Sequence, residues 1–125
     1  MDLAAWVLCL LLAVQVVFQA VLAAGAPWGH ISYGGAHKGK LPKNYRIVSA
    51  VSILVYVLFI STVVAYSSEF ITYPEGLSRV VLWVMVVFFG LGTLANAASR
   101  SKPERWWALY AAITLLCTLV VLGVL

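Results

Sequence analysis

Four runs of about twenty residues, almost free of charge, constrain this chain more than anything else in it. They are residues 3–24, 46–66, 77–99 and 104–125. A helix needs roughly 20 apolar residues to cross a hydrocarbon core about 30 Å thick. Inside that core each backbone N–H and C=O must be satisfied within the protein, which a helix does along its own length. The sequence therefore predicts an all-α fold: an antiparallel bundle of four transmembrane helices forming one integral membrane domain over residues 1–125. Composition agrees, since 10% of the residues are charged and 64% are hydrophobic, where a soluble domain has about a quarter charged. Four spans leave no room for a separate catalytic domain, and no internal repeat is visible.

The runs are separated by turn and cap signals. Asn96 to Trp107 is a tight basic turn in which Ser101 and Glu104 have capping-box spacing and Pro103 falls in the first helical turn, so a helix is expected from about Lys102. Thr72, Pro74 and Glu75 repeat the pattern before the third span, and Pro42 suits the first turn of the second. The longest connection, Gly25 to Tyr45, is rich in glycine, and Tyr33-Gly34-Gly35-Ala36 reads as a small hairpin or a flexible loop. The first run has no basic n-region and is longer than a signal-peptide core, so it reads as a retained helix.

Charge predicts the orientation. Lys38, Lys40, Lys43 and Arg46 flank the first loop, Arg100, Lys102 and Arg105 flank the third, and only Arg79 lies near the second. By the positive-inside rule, the first and third loops are expected in the cytoplasm and both termini outside, in a cell (inner) membrane. Trp28, Trp106 and Trp107 then fall at the inner interface and Trp6 and Trp83 toward the outer one. Cations in short loops beside apolar spans read as topogenic, so no nucleic-acid partner is expected. The expected partners are the lipid bilayer, with anionic lipid or another membrane protein against the basic face. Arg46, Arg100, Glu104 and Arg105 form a candidate charge cluster there, with Glu104 expected to pair with Arg46 or Arg100. The oligomeric state is open.

Chemistry is sparse. No ionisable residue lies deep in a span, which argues against a proton relay or an ion-coupled pump. His30 and His37 lack any Cys, Asp or Glu in their loop to complete a metal site. Cys9 and Cys117 lie within spans and read as packing residues. No cofactor is expected, and no nucleophile or acid–base pair can be assembled, so catalysis is not expected. Neutral polar residues are more informative. Gln15 and Gln19 lie one turn apart on the first span, and Ser49, Ser52 and Tyr56 share a face of the second. Gly92, Asn96 and Ser99 form a stripe on the third, and Tyr110, Thr114 and Thr118 one on the fourth. These stripes read either as hydrogen-bonding glue between helices, the commoner arrangement in such bundles, or as the wall of a pocket open toward the cytoplasm. The candidate pocket comprises Gln15, Gln19, Ser52, Tyr56, Asn96 and Tyr110, with Gln19 and Asn96 expected to meet between the first and third spans.

The stretches Pro27-Trp28-Gly29, Gly34-Gly35, Leu41-Pro42, Arg46 to Ser52, and Asn96 to Ser101 with Glu104-Arg105 give the chain a resemblance over nearly its whole length. It resembles an uncharacterised family of small four-span bacterial integral membrane proteins. That resemblance implies class and topology and carries over no site residue. Small multidrug exporters are similar in size, but their coupling glutamate in the first span has no counterpart here. Small fluoride channels work as antiparallel dimers of dual-topology chains, which the cation asymmetry disfavours. Two functional expectations remain. The first is an interaction or accessory protein with a basic cytoplasmic face. The alternative is a carrier or binding protein for a small neutral or amphipathic ligand in the polar pocket.

Overall fold

The computed structural model describes residues 1–33 and 35–125. Its helices are α1 (Leu3–Ala24), α2 (Lys43–Ser67), α3 (Leu77–Ala97) and α4 (Lys102–Leu122), with two short 3-10 turns, Gly29–Ile31 and Tyr33–Gly35, in the first loop. All four helices are long and apolar enough to cross a membrane. At 1.5 Å per residue they extend roughly 31–38 Å, enough for a hydrocarbon core of about 30 Å.

Local chemistry fixes the helix ends. The Asp2 carboxylate caps α1 by accepting from the Ala5 N–H at 3.0 Å. Gly25, at φ 101°, ends α1 in the left-handed region while its N–H and that of Ala26 return to the Leu22 and Val21 carbonyls. The Ser101 hydroxyl caps α4 by accepting from the Glu104 N–H at 3.3 Å, with Pro103 in the first turn. Gly123, at φ 81°, closes α4 three residues short of the expected boundary. The third span ends at Ala97, two residues earlier than expected, because the Ser99 N–H turns back to the Asn96 carbonyl.

Two expected loop features are not formed. The Thr72–Glu75 box does not cap α3, whose N-cap is Gly76 at φ 79° with no side-chain bond. This left-handed residue delays the helix to Leu77, beyond reach of Thr72, and the Leu77 N–H turns back to the Pro74 carbonyl. The Tyr33-Gly34-Gly35-Ala36 stretch is no hairpin. Tyr33 has φ 47° and Gly35 φ 74°, and the chain there coils into a 3-10 turn.

The helices form a ring in chain order. The α1/α2 and α3/α4 pairs are the most extensively packed, α1/α4 less so, and α2/α3 touch least of the four neighbouring pairs. Thus α1 and α3 face one another diagonally. Leu8, Leu12, Val63, Leu82 and Met85 are fully buried, and Phe59, Phe88 and Phe89 meet edge to face or tilted at 5.2–6.0 Å between α2 and α3. Lipid is as apolar as these side chains, so close packing rather than expulsion from water holds such helices together.

Candidate functional site: a roofed polar cavity

Most intramembrane hydroxyl and amide groups bond to their own helix. Ser52 Oγ donates to the Val48 carbonyl at 2.8 Å, Thr62 to Leu58 at 2.9 Å and Thr93 to Phe89 at 2.7 Å. Thr114 donates to Tyr110 and Thr118 to Thr114, both at 2.8 Å, and Asn96 Nδ2 donates to Gly92 at 2.8 Å. Each such bond spans one turn, and each hydroxyl so bonded has no proton left for a neighbouring helix. The Tyr110 hydroxyl is different: it donates across the interface to the Leu11 carbonyl of α1. The stripes therefore do little stitching between helices.

They surround space instead. A cavity of about 490 Å³ lies in the half of the bundle nearest the first and third loops, and Gln15, Gln19, Ser52, Tyr56, Asn96 and Tyr110 all line it. Phe18, Phe88, Phe89 and Trp107 supply most of its apolar wall. The Trp107 ring packs 4.7 Å from Phe18 and 5.2 Å from Tyr110, centroid to centroid. The expected contact between Gln19 and Asn96 is not made. Gln19 Nε2 donates to Gln15 Oε1 at 3.3 Å, one turn back along α1, and Asn96 turns to its own helix. The two amides sit on diagonal helices with the cavity between them. Gln19 Oε1 is buried with no hydrogen-bond partner among the described residues.

The charge cluster is dispersed. Glu104, in the first turn of α4, is 7% exposed and lines the cavity. Arg46 instead donates from Nε to the Ala23 carbonyl at 3.0 Å, satisfying the end of α1. Arg100 lines a separate shallow groove with His30 and Lys38, and Arg105 is exposed. The His37 ring packs 5.0 Å from Tyr45, away from His30.

The first loop contributes a part that sequence reasoning did not foresee. Ile31, Ser32 and Tyr33 line the loop end of the cavity, where an opening was expected. The Tyr33 hydroxyl bonds to Ser49 Oγ at 2.9 Å and to the Tyr45 carbonyl at 3.4 Å, while the Ser101 hydroxyl donates to the His30 carbonyl. The Gly29 N–H donates to the Gly39 carbonyl at 2.9 Å and closes the loop on itself. A Cβ on Gly29 would lie 2.4 Å from the His37 oxygen and 2.6 Å from the Gly39 oxygen, so only glycine allows this closure. The loop is thus a pinned roof. Its one advance signal was the crowding of Tyr33, Tyr45 and Ser49 near one membrane boundary, which no spacing rule singles out. Glu104 and Trp107 were legible as a cap and an interfacial anchor, and those roles concealed their inward position. Comparison of the chain with protein families, characterised proteins and solved structures gives no match.

Proposed function

We propose that this is a multipass protein of a bacterial inner membrane, with the basic end in the cytoplasm, that binds a small amphipathic molecule in the roofed cavity. The observation that carries this reading is the cavity itself: six neutral polar residues on four helices face a shared space. Its volume is within the range of small-molecule sites, which are mostly apolar with a few convergent polar groups. The distribution of donors indicates the class of ligand. The hydroxyl protons of Ser52 and Tyr110 are committed to backbone carbonyls, one amide proton each of Gln19 and Asn96 is bonded within its own helix, and Gln19 Oε1 is a buried acceptor with no hydrogen-bond partner among the described residues. The wall therefore suits a ligand that donates hydrogen bonds, and the Glu104 carboxyl disfavours an anionic one. Orientation rests on the clustering of seven of eight cations around the first and third loops.

A second role is compatible with the same molecule. Lys38, Lys40, Lys43, Arg100, Lys102 and Arg105 are all exposed at the basic end, a surface suited to anionic lipid headgroups or to an acidic membrane-protein partner at about 1 kcal/mol per cation.

Binding is tested with single cysteines at Ser52→Cys and Asn96→Cys in a Cys9→Ala, Cys117→Ala background, reconstituted in phosphatidylcholine nanodiscs. Both sites should react with N-ethylmaleimide, and 1-butyrylglycerol, an uncharged hydroxylated probe, should slow the reaction several-fold without affecting Gly39→Cys. Inert cysteines in folded protein, or reaction indifferent to the probe, would overturn the binding reading. Orientation is tested separately in intact cells: an impermeant maleimide should label Ser68→Cys and spare Gly39→Cys, and the reverse pattern would invert the topology.

A further inference from the structure

The cavity is roofed toward water, and on its α2/α3 side its wall is formed by side chains that also face outward. On its α2/α3 side, the least packed of the neighbouring interfaces, its lining includes Val48 of α2 and Phe88 and Leu91 of α3. These are side chains whose outer surfaces are open, 49%, 41% and 62% exposed respectively. Phe88 and Leu91 also line a second feature, an apolar groove on the outer face of α3 formed with Val80, Trp83, Val84 and Val87. Val80, Val84, Val87 and Leu91 follow one helical stripe, and Trp83 and Phe88 stand beside it. The groove and the cavity therefore adjoin, with Phe88 and Leu91 lining both. From Val80 to Leu91 the stripe runs about 16 Å at 1.5 Å per residue, roughly half the thickness of a 30 Å hydrocarbon core.

We infer that the ligand is a single-chain membrane lipid with an uncharged, hydroxyl-bearing head, which enters sideways between α2 and α3, seats its head in the cavity and lays its tail along the α3 groove. The inference rests on the cavity-binding reading and adds the ligand's route and class. An uncharged head follows from the wall. The buried acceptor Gln19 Oε1 calls for a donated hydrogen, and the Glu104 carboxyl, which lines the cavity and is already engaged within the fold, disfavours an anion and is not free to pair with an ammonium. A single chain follows from the groove, which is one helix face wide. Lateral entry follows from the roof: Tyr33, Ser49, Ser101 and His30 are bonded across the loop end, and a lipid leaving the bilayer between α2 and α3 breaks none of those bonds. A tail in the groove exchanges one apolar surrounding for another, so affinity arises from the head, and the groove fixes where the chain lies.

A 1-monoacylglycerol with a 14-carbon chain and a diazirine at its far end, added to the full-length protein in phosphatidylcholine nanodiscs, tests this. After photolysis, label should concentrate on α3 between Val80 and Val87 and be competed away by excess 1-myristoylglycerol. Leu91→Trp, an outward-facing change at the junction of groove and cavity, should cut that labelling at least five-fold, and Val84→Trp should do the same from within the groove. Val84→Trp, whose side chain lines the groove and not the cavity, should leave protection of Asn96→Cys by 1-butyrylglycerol intact, which also reports that it is folded. Label spread evenly over the outer faces of all four helices and indifferent to competitor would be ordinary surrounding lipid, and would overturn the lateral route while the short probe's protection upheld the cavity. Loss of protection by the short probe as well would overturn both.

Discussion

The two halves of the bundle are built on opposite plans from helices of similar length. Toward the second loop and the chain termini, Leu8, Val63, Leu82 and Met85 meet with no exposed surface. Toward the basic end, the same four helices carry amides, hydroxyls and a carboxyl around about 490 Å³ of space. Well-packed interiors contain few voids larger than a water molecule. A polar void is also costly in a membrane unless its groups find partners. The packed half answers to stability, and the open half, with its hydroxyls mostly turned back on their own helices, encloses space that its side chains do not fill. The contrast implies that substitutions in the two halves should act on different quantities.

The largest effect should be in the packed half. Leu82→Ala removes a fully buried side chain and should cost about 2–5 kcal/mol, read as a shift in the unfolding midpoint in mixed micelles. Ser52→Ala, at the cavity wall, should change stability by less than about 0.5 kcal/mol, in the manner of substitutions away from packed cores. Equal costs at the two sites would mean that both halves are packed alike.

The roof comes next. Gly29→Ala drives a methyl group against the His37 and Gly39 oxygens, and overpacking of this kind costs about 1–3 kcal/mol. The strain should be confined to the loop. N-ethylmaleimide should therefore reach Asn96→Cys faster in the Gly29→Ala protein while the packed half retains its slow hydrogen exchange. Unchanged access would show that the first loop does not control the cavity.

The number and type of the helices were legible in the sequence, and their arrangement around the cavity only in outline. Span number, the Ser101 cap and the polar stripes follow from local rules of period and spacing, and α1 and α4 obey them nearly to the residue. The ring order does not follow from such rules: nothing in the residues around Gln19 and Asn96 says that α1 and α3 lie diagonally, and the expected bond between them fails for that reason. The roof is less legible still, since it depends on contacts between residues far apart in the chain, such as Ser101 with His30. Glu104 was misplaced because its local role as a cap is satisfied by its backbone N–H, leaving the direction of its carboxyl undetermined by spacing.

A smaller effect separates stitching from lining among the polar groups. Tyr110→Phe removes the hydroxyl that crosses from α4 to the Leu11 carbonyl of α1 and should cost about 0.6 kcal/mol, with about 1.7 kcal/mol the upper end for such bonds in membranes. Thr118→Val should cost less than Tyr110→Phe, because its hydroxyl only returns to the Thr114 carbonyl of its own helix. Thermal unfolding of the two variants side by side reads the difference, and a larger cost for Thr118→Val would put the stitching elsewhere.

The smallest expected effect is the most informative about the cavity. Gln15 and Gln19 are bonded along α1 at 3.3 Å, whereas Gln19 and Asn96 face each other across the void with no bond between them. Residues sharing a network couple by about 0.5–3 kcal/mol, and independent sites add to within about 0.3–0.5 kcal/mol. In unfolding experiments on the empty protein, a cycle of Gln15→Leu and Gln19→Leu should therefore show coupling, and a cycle of Gln19→Leu and Asn96→Leu should not. Gln19→Leu alone should be mildly destabilising, because it removes the donor to the buried Gln15 Oε1. If a bound head bridges the two walls, the second cycle should become coupled when the measured quantity is the binding of 1-butyrylglycerol rather than stability. Coupling that appears only with the probe present requires the ligand itself to span the space between α1 and α3. Coupling of Gln19 and Asn96 in the empty protein would show that the amides already meet, and that the void between them is closed.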